Sequence, residues 1–415
     1  MSRTTAAPAQ GETDASGPAG MGTAAGVALI TVLTSMPLFL AGATSTLINR
    51  EWGWDAGDTG LLLAAYWCAS LLGAFLSRKV EVPVSAETTV GVASFATAVG
   101  LALGAWAGGV GLVAGTAVGG LVYGYSQPHT NSLLMRHCAR RVQGFAFGLK
   151  QAAVPMATLL GSVAVPALAV PYGWRAVFLS AAGVCALYGV VGLCARRGGR
   201  GGAPARAAAP PLKLNSQLLG LAVAGLCGAM VGNSLGGFLI ASGTHGGLAL
   251  STAGFLAAAG SVVNIAVRLA AGVVVDRGRY APRALLWQLY AVGALGTLLL
   301  ALNGGVAVTV AGALLAFGGG WGWAGLLHYV AGVSFPAAAA RATAFTQMGV
   351  SLGGACGPML FGWLVTREGF GPAWLVLTAV GVVAALLVLA LGRRTARSAD
   401  DAASGVTERE FKSVA

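Results

Sequence analysis

The sequence predicts an all-α membrane protein with twelve transmembrane helices arranged as two six-helix repeats. Only 9% of the 415 residues are charged and 56% are apolar, whereas soluble domains carry roughly 25% charged residues. Glycine contributes 65 residues, about twice its usual share, which in an apolar chain favours close packing of helices in lipid. A water-soluble fold could not cover its surface with so few charged residues. The third observation is that several residues of the first half of the chain recur in the second half.

The individual helices follow from the lengths of the apolar runs. A transmembrane helix needs about 20 mostly apolar residues, and the chain supplies such runs in close succession, with Gly108 and Gly109 dividing the third from the fourth. We place them near residues 25–47, 59–77, 87–107, 109–134, 144–168, 175–195, 217–242, 252–274, 283–302, 306–333, 342–366 and 373–392.

A basic segment rich in Gly, Ala and Pro divides six helices from six. The predicted units are a cytoplasmic N-terminal tail at 1–24, a six-helix bundle at 25–195, a cytoplasmic linker at 196–216, a second six-helix bundle at 217–392 and a cytoplasmic C-terminal tail at 393–415. The N-terminus lacks the basic start of a cleaved signal, so we expect the first helix to be retained.

The two bundles repeat at an almost constant spacing. The matching residues lie 198 to 200 positions apart: Tyr123 with Trp321, Gly73 with Gly272, Arg141 with Arg341, and Trp174 with Trp374. Chance rarely keeps one spacing through four landmarks. Parallel repeats of six helices, related by an axis along the membrane normal, are a known transporter architecture.

Orientation follows from the basic residues in the connections. With both termini on one side, the connections on that side hold 20 Lys and Arg residues, and the opposite connections hold three, Arg50, Arg175 and Arg367. Because cytoplasmic loops carry an excess of Lys and Arg, we expect both termini to be cytoplasmic in a multi-pass protein of the cytoplasmic (inner) membrane.

The segment RLAAGVVVDRGR, with Gly272, Asp276, Arg277 and Arg279, resembles the conserved loop motif between helices eight and nine of the major facilitator superfamily. The resemblance extends over roughly residues 25–393 and includes GLLHYVAGVSFPAAAARATAFTQMGVSLGGACGP, which is similar to helices ten and eleven of that family. It implies a secondary transporter that works by alternating access. It also implies that Gly272, Asp276, Arg277 and Arg279, with Arg78 in the first-half copy, latch the cytoplasmic helix ends. That copy has Ser77 where the family has Asp.

Two basic residues, Lys150 and Arg268, lie inside predicted helices, where a charge is costly and indicates a functional site. Lys150 follows Arg141 by nine residues and Arg268 precedes Asp276 by eight, so both lie about 12 to 13 Å from the same membrane surface. All thirteen acidic residues fall in tails, loops or helix ends. The family resemblance adds that helices five and eight face each other across the two halves.

These features predict transport of a small organic or inorganic anion, such as a carboxylate, bridged by Lys150 and Arg268. The alternatives are snorkelling of Lys150 or its hydrogen bonding near Pro155, and a structural link from Arg268 to helix-end carbonyls. The polar residues that would complete the pocket, or serve as interhelical contacts instead, are Gln127, Asn131, Gln151, Asn233, Asn264 and His328. Protons are the candidate coupling ion, with His328 as a candidate relay.

Other functions fit the sequence less well. Proton-coupled efflux of drugs or metabolites is one alternative, but in this family it usually relies on a membrane-embedded acid, which the interiors of the predicted helices lack. A receptor or membrane enzyme is a third hypothesis. The four His residues form no catalytic set and the chain has no GxxxxGK[ST] stretch for ATP. The basic residues are too dispersed for nucleic acid, and the six cysteines form no CxxC pair. We expect a monomer without a metal or cofactor.

Overall fold

The computed structural model describes residues 19–79, 86–138, 140–194, 214–278 and 280–414. Within these ranges the chain forms twelve long helices and no strands. The first half consists of α1 (Ala19–Trp52), α2 (Ala56–Lys79), α3 (Ala86–Trp106), α4 (Gly108–His137), α5 (Arg140–Ala164, continued by a π-helical turn at Val165–Ala169 and a last turn at Val170–Tyr172) and α6 (Trp174–Cys194). The break between α3 and α4 falls at the predicted glycine pair.

The second half repeats this order. It consists of α7 (Ser216–His245), α8 (Leu250–Asp276), α9 (Pro282–Leu302), α10 (Val306–Leu315, a π-helical turn at Ala316–Gly320, then Ala324–Ser334), α11 (Ala339–Glu368, after a 3₁₀ turn at Pro336–Ala338) and α12 (Phe370–Val414). Among the described residues, eleven helices are long and apolar enough to cross a membrane, and α3 contributes the shorter apolar stretch Val90–Trp106. The prediction of twelve transmembrane helices in two repeats is confirmed.

The two ends of the chain differ from the predicted boundaries. Helix α1 begins at Ala19, within the predicted N-terminal tail, and α12 continues to Val414 through the predicted C-terminal tail. The segment after Arg393 is polar but contains Ala, Arg and Glu residues, which have high helix propensity. Of the predicted linker 196–216, only residues 214–216 lie within the described chain.

Glycines allow the helices of each half to approach closely. On α11, a side chain at Gly349 or Gly353 would collide with the carbonyl oxygen of Ala222 or Leu226 on α7. On α4, one at Gly124 would collide with the carbonyl of Ser70 on α2. The high glycine content therefore serves backbone-to-backbone packing, as predicted for helices in lipid.

The halves contact each other at the end of the molecule that carries the α1–α2 connection, here called the α1–α2 end. The Gly57 amide donates to Thr366 Oγ1 at 3.0 Å, linking α2 to α11. Gly60 packs against the Pro358 carbonyl, and Gly42 on α1 meets Gly237 on α7. These contacts join the two halves at this end. At the same end a crevice of about 540 Å³ lies between the halves, with Asn49, Asp55 and Thr366 among its lining residues.

Candidate functional site

The candidate site lies at the centre of the molecule, where α5 of the first half packs on α8 of the second. Lys150 and Gln151 are neighbours on α5, and Arg268 lies on the facing helix. The structure therefore places the two predicted cations on helices that pack against each other, and Arg268 contacts the residue next to Lys150. Lys150 is buried, with 6% of its surface exposed.

The Lys150 ammonium is bound by α4, within its own half. Nζ donates to Thr130 Oγ1 at 2.9 Å, to Asn131 Oδ1, and to the Gln127 carbonyl at 3.4 Å. An ammonium has three N–H donors, and three acceptors surround this one. Of the predicted pocket residues, Asn131 contacts Lys150 through its side chain and Gln127 through its main-chain carbonyl, and Thr130 is a third partner. Their part in a substrate pocket remains a prediction.

The Arg268 guanidinium instead connects the two halves. Nη1 donates to the main-chain carbonyl of Gln151 on α5 at 2.7 Å, and Nη2 donates to the carbonyl of Trp321 on α10 at 2.9 Å. Nε is buried and has no hydrogen-bond partner among the described residues. Arg268 thus contacts helix carbonyls, which is the structural alternative considered for it, but one carbonyl belongs to the opposite half.

Neither cation contacts a carboxylate within the described part of the chain. The ion pair found there joins Arg175 to Glu51 at 2.6 Å, at the α1–α2 end. The acceptors of Lys150 and Arg268 are uncharged. The interface between the halves therefore carries positive charge that no described acidic side chain neutralises.

Asn264 lies one helical turn before Arg268 and strengthens the link to α10. Its Nδ2 donates to the Phe317 carbonyl at 2.6 Å, so its amide orientation is fixed by this bond. Its Oδ1 is buried without a partner among the described residues. Asn264 and Arg268, four residues apart on α8, thus bind two carbonyls that are four residues apart on α10.

His328 lies near Arg268, on the part of α10 that follows the π-helical turn. Its Nδ1 is 2.8 Å from the Ala324 carbonyl, and Gln347 of α11 lies beside the ring. Nε2 is buried and, within the described ranges, has no geometrically acceptable hydrogen-bond partner. Because the Ala324 carbonyl can only accept, Nδ1 carries the proton in the neutral ring.

Aromatic side chains cover the interface between the cations and the α1–α2 end. The Trp67 indole N–H donates to Asn233 Oδ1 at 3.1 Å, linking α2 to α7. The rings of Phe39 and Trp321 pack across the halves with centroids 5.6 Å apart. Asn233 therefore contacts this aromatic layer, and no hydrogen bond joins it to either cation in the described chain.

The predicted latch lies largely outside the described residues. Arg279 is not described, and the side chains of Arg78 and Asp276 are not described. Arg277 caps the end of α8 and is exposed, and Gly272 has open space where a side chain would lie. The latch remains a prediction.

Sequence reasoning missed the main-chain acceptors of Arg268. The signal was present, since Pro155 follows Gln151 by four residues on α5. A proline has no N–H to donate to the carbonyl four residues earlier. Its position therefore marks the Gln151 carbonyl as available to another donor.

Solved structures similar to this chain are transporters of one architecture. A bacterial homolog of the human lysosomal transporter Spinster, in an inward-facing and unoccupied conformation, matches with a TM-score of 0.68 and 14% identity over 90% of this chain and 97% of its own. A D-xylose–proton symporter matches with a TM-score of 0.69 and 16% identity over 89% and 96% of the two chains. The nucleoside transporter NupG matches with a TM-score of 0.68 and 15% identity over 89% and 99%.

At these identities the solved structures show a common fold and no common substrate. A comparison with curated protein sequences gave no match. The model of the Major Facilitator Superfamily matches residues 27–311 and 247–413, and so spans almost the whole chain. With its twelve helices in two repeats and its close contacts between halves, the chain belongs to the Major Facilitator Superfamily of secondary transporters and is a multi-pass membrane protein.

Proposed function

We propose that this transporter moves a small organic or inorganic anion, such as a carboxylate, across the cytoplasmic membrane, and that it works as a monomer without catalysis. The observation that carries the proposal is Arg268, which lies between the halves with uncharged acceptors and a buried Nε that has no partner in the described part of the chain. Lys150, on the facing helix, is a second cation and is buried, whereas Arg268 is half-buried.

The energetic argument concerns the cost of buried charge. A charged group removed from water is stabilised only when it is paired and hydrogen-bonded. Uncharged carbonyl, amide and hydroxyl oxygens accept hydrogen bonds from Lys150 and Arg268 but do not neutralise their charge. An anion at this interface would supply the missing negative charge and accept from Arg268, so its binding is favoured there over that of a cation.

The position of the site suits alternating access. The halves touch from the α1–α2 end to the level of Arg268. The excess of Lys and Arg in the opposite connections supports an outside position for the α1–α2 end, where a crevice of about 540 Å³ also lies between the halves. Both termini would then be cytoplasmic. His328, beside Arg268, is the candidate group for coupling transport to protons.

The test is uptake by the purified protein in liposomes, with a panel of carboxylates, inorganic anions and cationic drugs. Lys150→Gln and Arg268→Gln should each lower anion uptake by about tenfold or more, because each removes hydrogen bonds to a charged group. Arg367→Gln is the matched control, since Arg367 lies over the Trp363 ring at 4.8 Å, at the α1–α2 end. Near-normal anion uptake in both site variants, with the protein folded, would contradict the proposal.

Proton-coupled efflux of lipophilic compounds is the second candidate. The aromatic layer favours it, because Tyr66, Trp67 and Tyr123 pack together with ring centroids 5.6 to 6.0 Å apart at the interface. Uptake or binding of cationic drugs alone, with no response to anions in the same panel, would favour efflux over anion transport.

A further inference from the structure

The guanidinium of Arg268 reaches a carbonyl that a proline has made available. Pro155 lies inside α5 and has no N–H, so the Gln151 carbonyl lacks its usual partner four residues later. Arg268 Nη1 donates to this carbonyl at 2.7 Å from the other half of the molecule. In an apolar interior such a carbonyl is costly to leave unpaired. The proline in one half and the arginine in the other therefore form a matched pair.

The two hydrogen bonds of Arg268 are not equivalent. Trp321 belongs to the same half as Arg268, and Asn264 binds the Phe317 carbonyl of the same helix at 2.6 Å. These bonds hold α8 and α10 together as one unit. Gln151 belongs to the opposite half. Relative motion of the halves therefore breaks the bond from Arg268 to the Gln151 carbonyl, and another acceptor can then replace this carbonyl.

We propose that the Gln151 carbonyl is a stand-in acceptor that holds Arg268 until the transported anion replaces it, and that Pro155 is the positioning residue that makes this carbonyl available. The inference rests on the proposed function. An ionised acceptor forms a stronger hydrogen bond with a guanidinium than a neutral carbonyl does. Exchange of one for the other satisfies the same Nη1 donor and adds the missing negative charge. The displaced carbonyl is then free when the two halves separate at this level.

The proposal predicts that Pro155→Ala strengthens anion binding. Alanine supplies the missing N–H to the Gln151 carbonyl within α5, so the carbonyl competes less well for Arg268. We expect the oxalate concentration that gives half-maximal thermal stabilisation of the purified protein to fall about tenfold. This change corresponds to the free energy of one hydrogen bond to a charged group. An unchanged or higher half-saturating concentration would overturn the proposal.

The matched control is Pro166→Ala on the same helix. Pro166 also faces α8, where it lies against Gly254, a residue that carries no charge. This variant should leave the half-saturating oxalate concentration unchanged. A decrease equal to that of Pro155→Ala would mean that any loss of proline from α5 has the effect, and would overturn the assignment to Gln151.

A second readout separates this inference from the identity of the substrate. Without any anion, the thermal midpoints of Pro155→Ala, Arg268→Gln and the double variant form a cycle. If the two residues act through one carbonyl, the change in the double variant differs from the sum of the single changes. Additive changes would overturn the link, and Pro155→Ser, which also supplies an N–H, replaces Pro155→Ala if that variant does not fold.

The two proposals can fail separately. If oxalate, lactate and inorganic phosphate all leave the wild-type midpoint unchanged, anion transport and the displacement of the carbonyl are both overturned. A non-additive cycle in the same protein would still support the bond from Arg268 to the carbonyl that Pro155 exposes.

Discussion

Lys150 and Arg268 lie on helices that pack against each other, Lys150 buried and Arg268 half-buried, and their surroundings differ. Lys150 is held by Thr130, Asn131 and the Gln127 carbonyl of the same half. Arg268 binds one carbonyl of its own half and one of the other, and keeps a buried Nε without a partner among the described residues. The difference teaches that burial of a charge does not define its role. Lys150 is fixed within one rigid unit, whereas Arg268 responds to the relative position of two.

The largest expected difference concerns the balance between transporter states. A side chain at Gly57 would have its Cβ 3.3 Å from Thr366 Oγ1, so cysteines at both positions are within reach of a disulfide. In a background without the native cysteines, Arg268→Gln should lower the yield of this cross-link about tenfold, because one hydrogen bond between a charged group and the opposite half is lost.

Lys150→Gln is the comparison for that experiment. Because the described partners of Lys150 all lie on α4, its loss should leave cross-linking at the α1–α2 end close to the wild-type yield. Equal losses in the two variants would show that the cations do not differ in the way proposed.

An intermediate effect is expected for the stability of each half. Asn131→Ala removes an acceptor of the Lys150 ammonium and should cost about 1.5–3 kcal/mol, whereas Asn264→Ala removes a neutral bond to the Phe317 carbonyl and should cost about 1 kcal/mol. Denaturation of the purified protein in detergent measures both free energies of unfolding. A larger cost for Asn264→Ala would contradict the assignment of Asn131 as a partner of a charged group.

The smallest effect is expected from two tryptophans that donate within and between halves. Trp67 binds Asn233 across the halves, and Trp374 binds Ser242 within the second half at 2.9 Å. Replacement of either by Phe should cost about 0.5–1.5 kcal/mol. Both should lower the thermal midpoint, but only Trp67→Phe should also lower the Gly57–Thr366 cross-link. A loss of cross-linking in Trp374→Phe would contradict the expected difference between contacts within one half and contacts between the halves.

Most of the fold was accessible from the sequence. Apolar run lengths predicted all twelve helices, and Gly108 marked the α3–α4 break, where its φ is +65°. The spacing of Trp174 and Trp374 predicted the repeat. Trp174 begins α6 after Gly173, and Trp374 lies four residues into α12, which begins after Gly369; both glycines have a positive φ. These features are local, so they can be predicted without knowledge of the tertiary contacts.

The candidate site was accessible only in part. The census of Lys and Arg singled out Lys150 and Arg268 as the two inside predicted helices. Gln127 and Asn131 were predicted as pocket residues, and only the structure shows that they contact Lys150. The partners of Arg268 did not follow, because they are backbone oxygens with no side-chain signature. Asn233 lies with Trp67 in the aromatic layer, a pairing that depends on how α2 and α7 meet.

The sequence by itself determined the membrane environment, the twelve helices, the repeat and the two cations inside helices, because hydropathy, spacing and charge are properties of the chain alone. Only the tertiary structure decided that Lys150 is satisfied within one half and that Arg268 joins both. The physical reason is that a hydrogen bond to a main-chain carbonyl depends on where helices cross. It also depends on where a proline or a π-helical turn interrupts the main-chain hydrogen bonds of a helix. Those relations arise only when α5, α8 and α10 pack together.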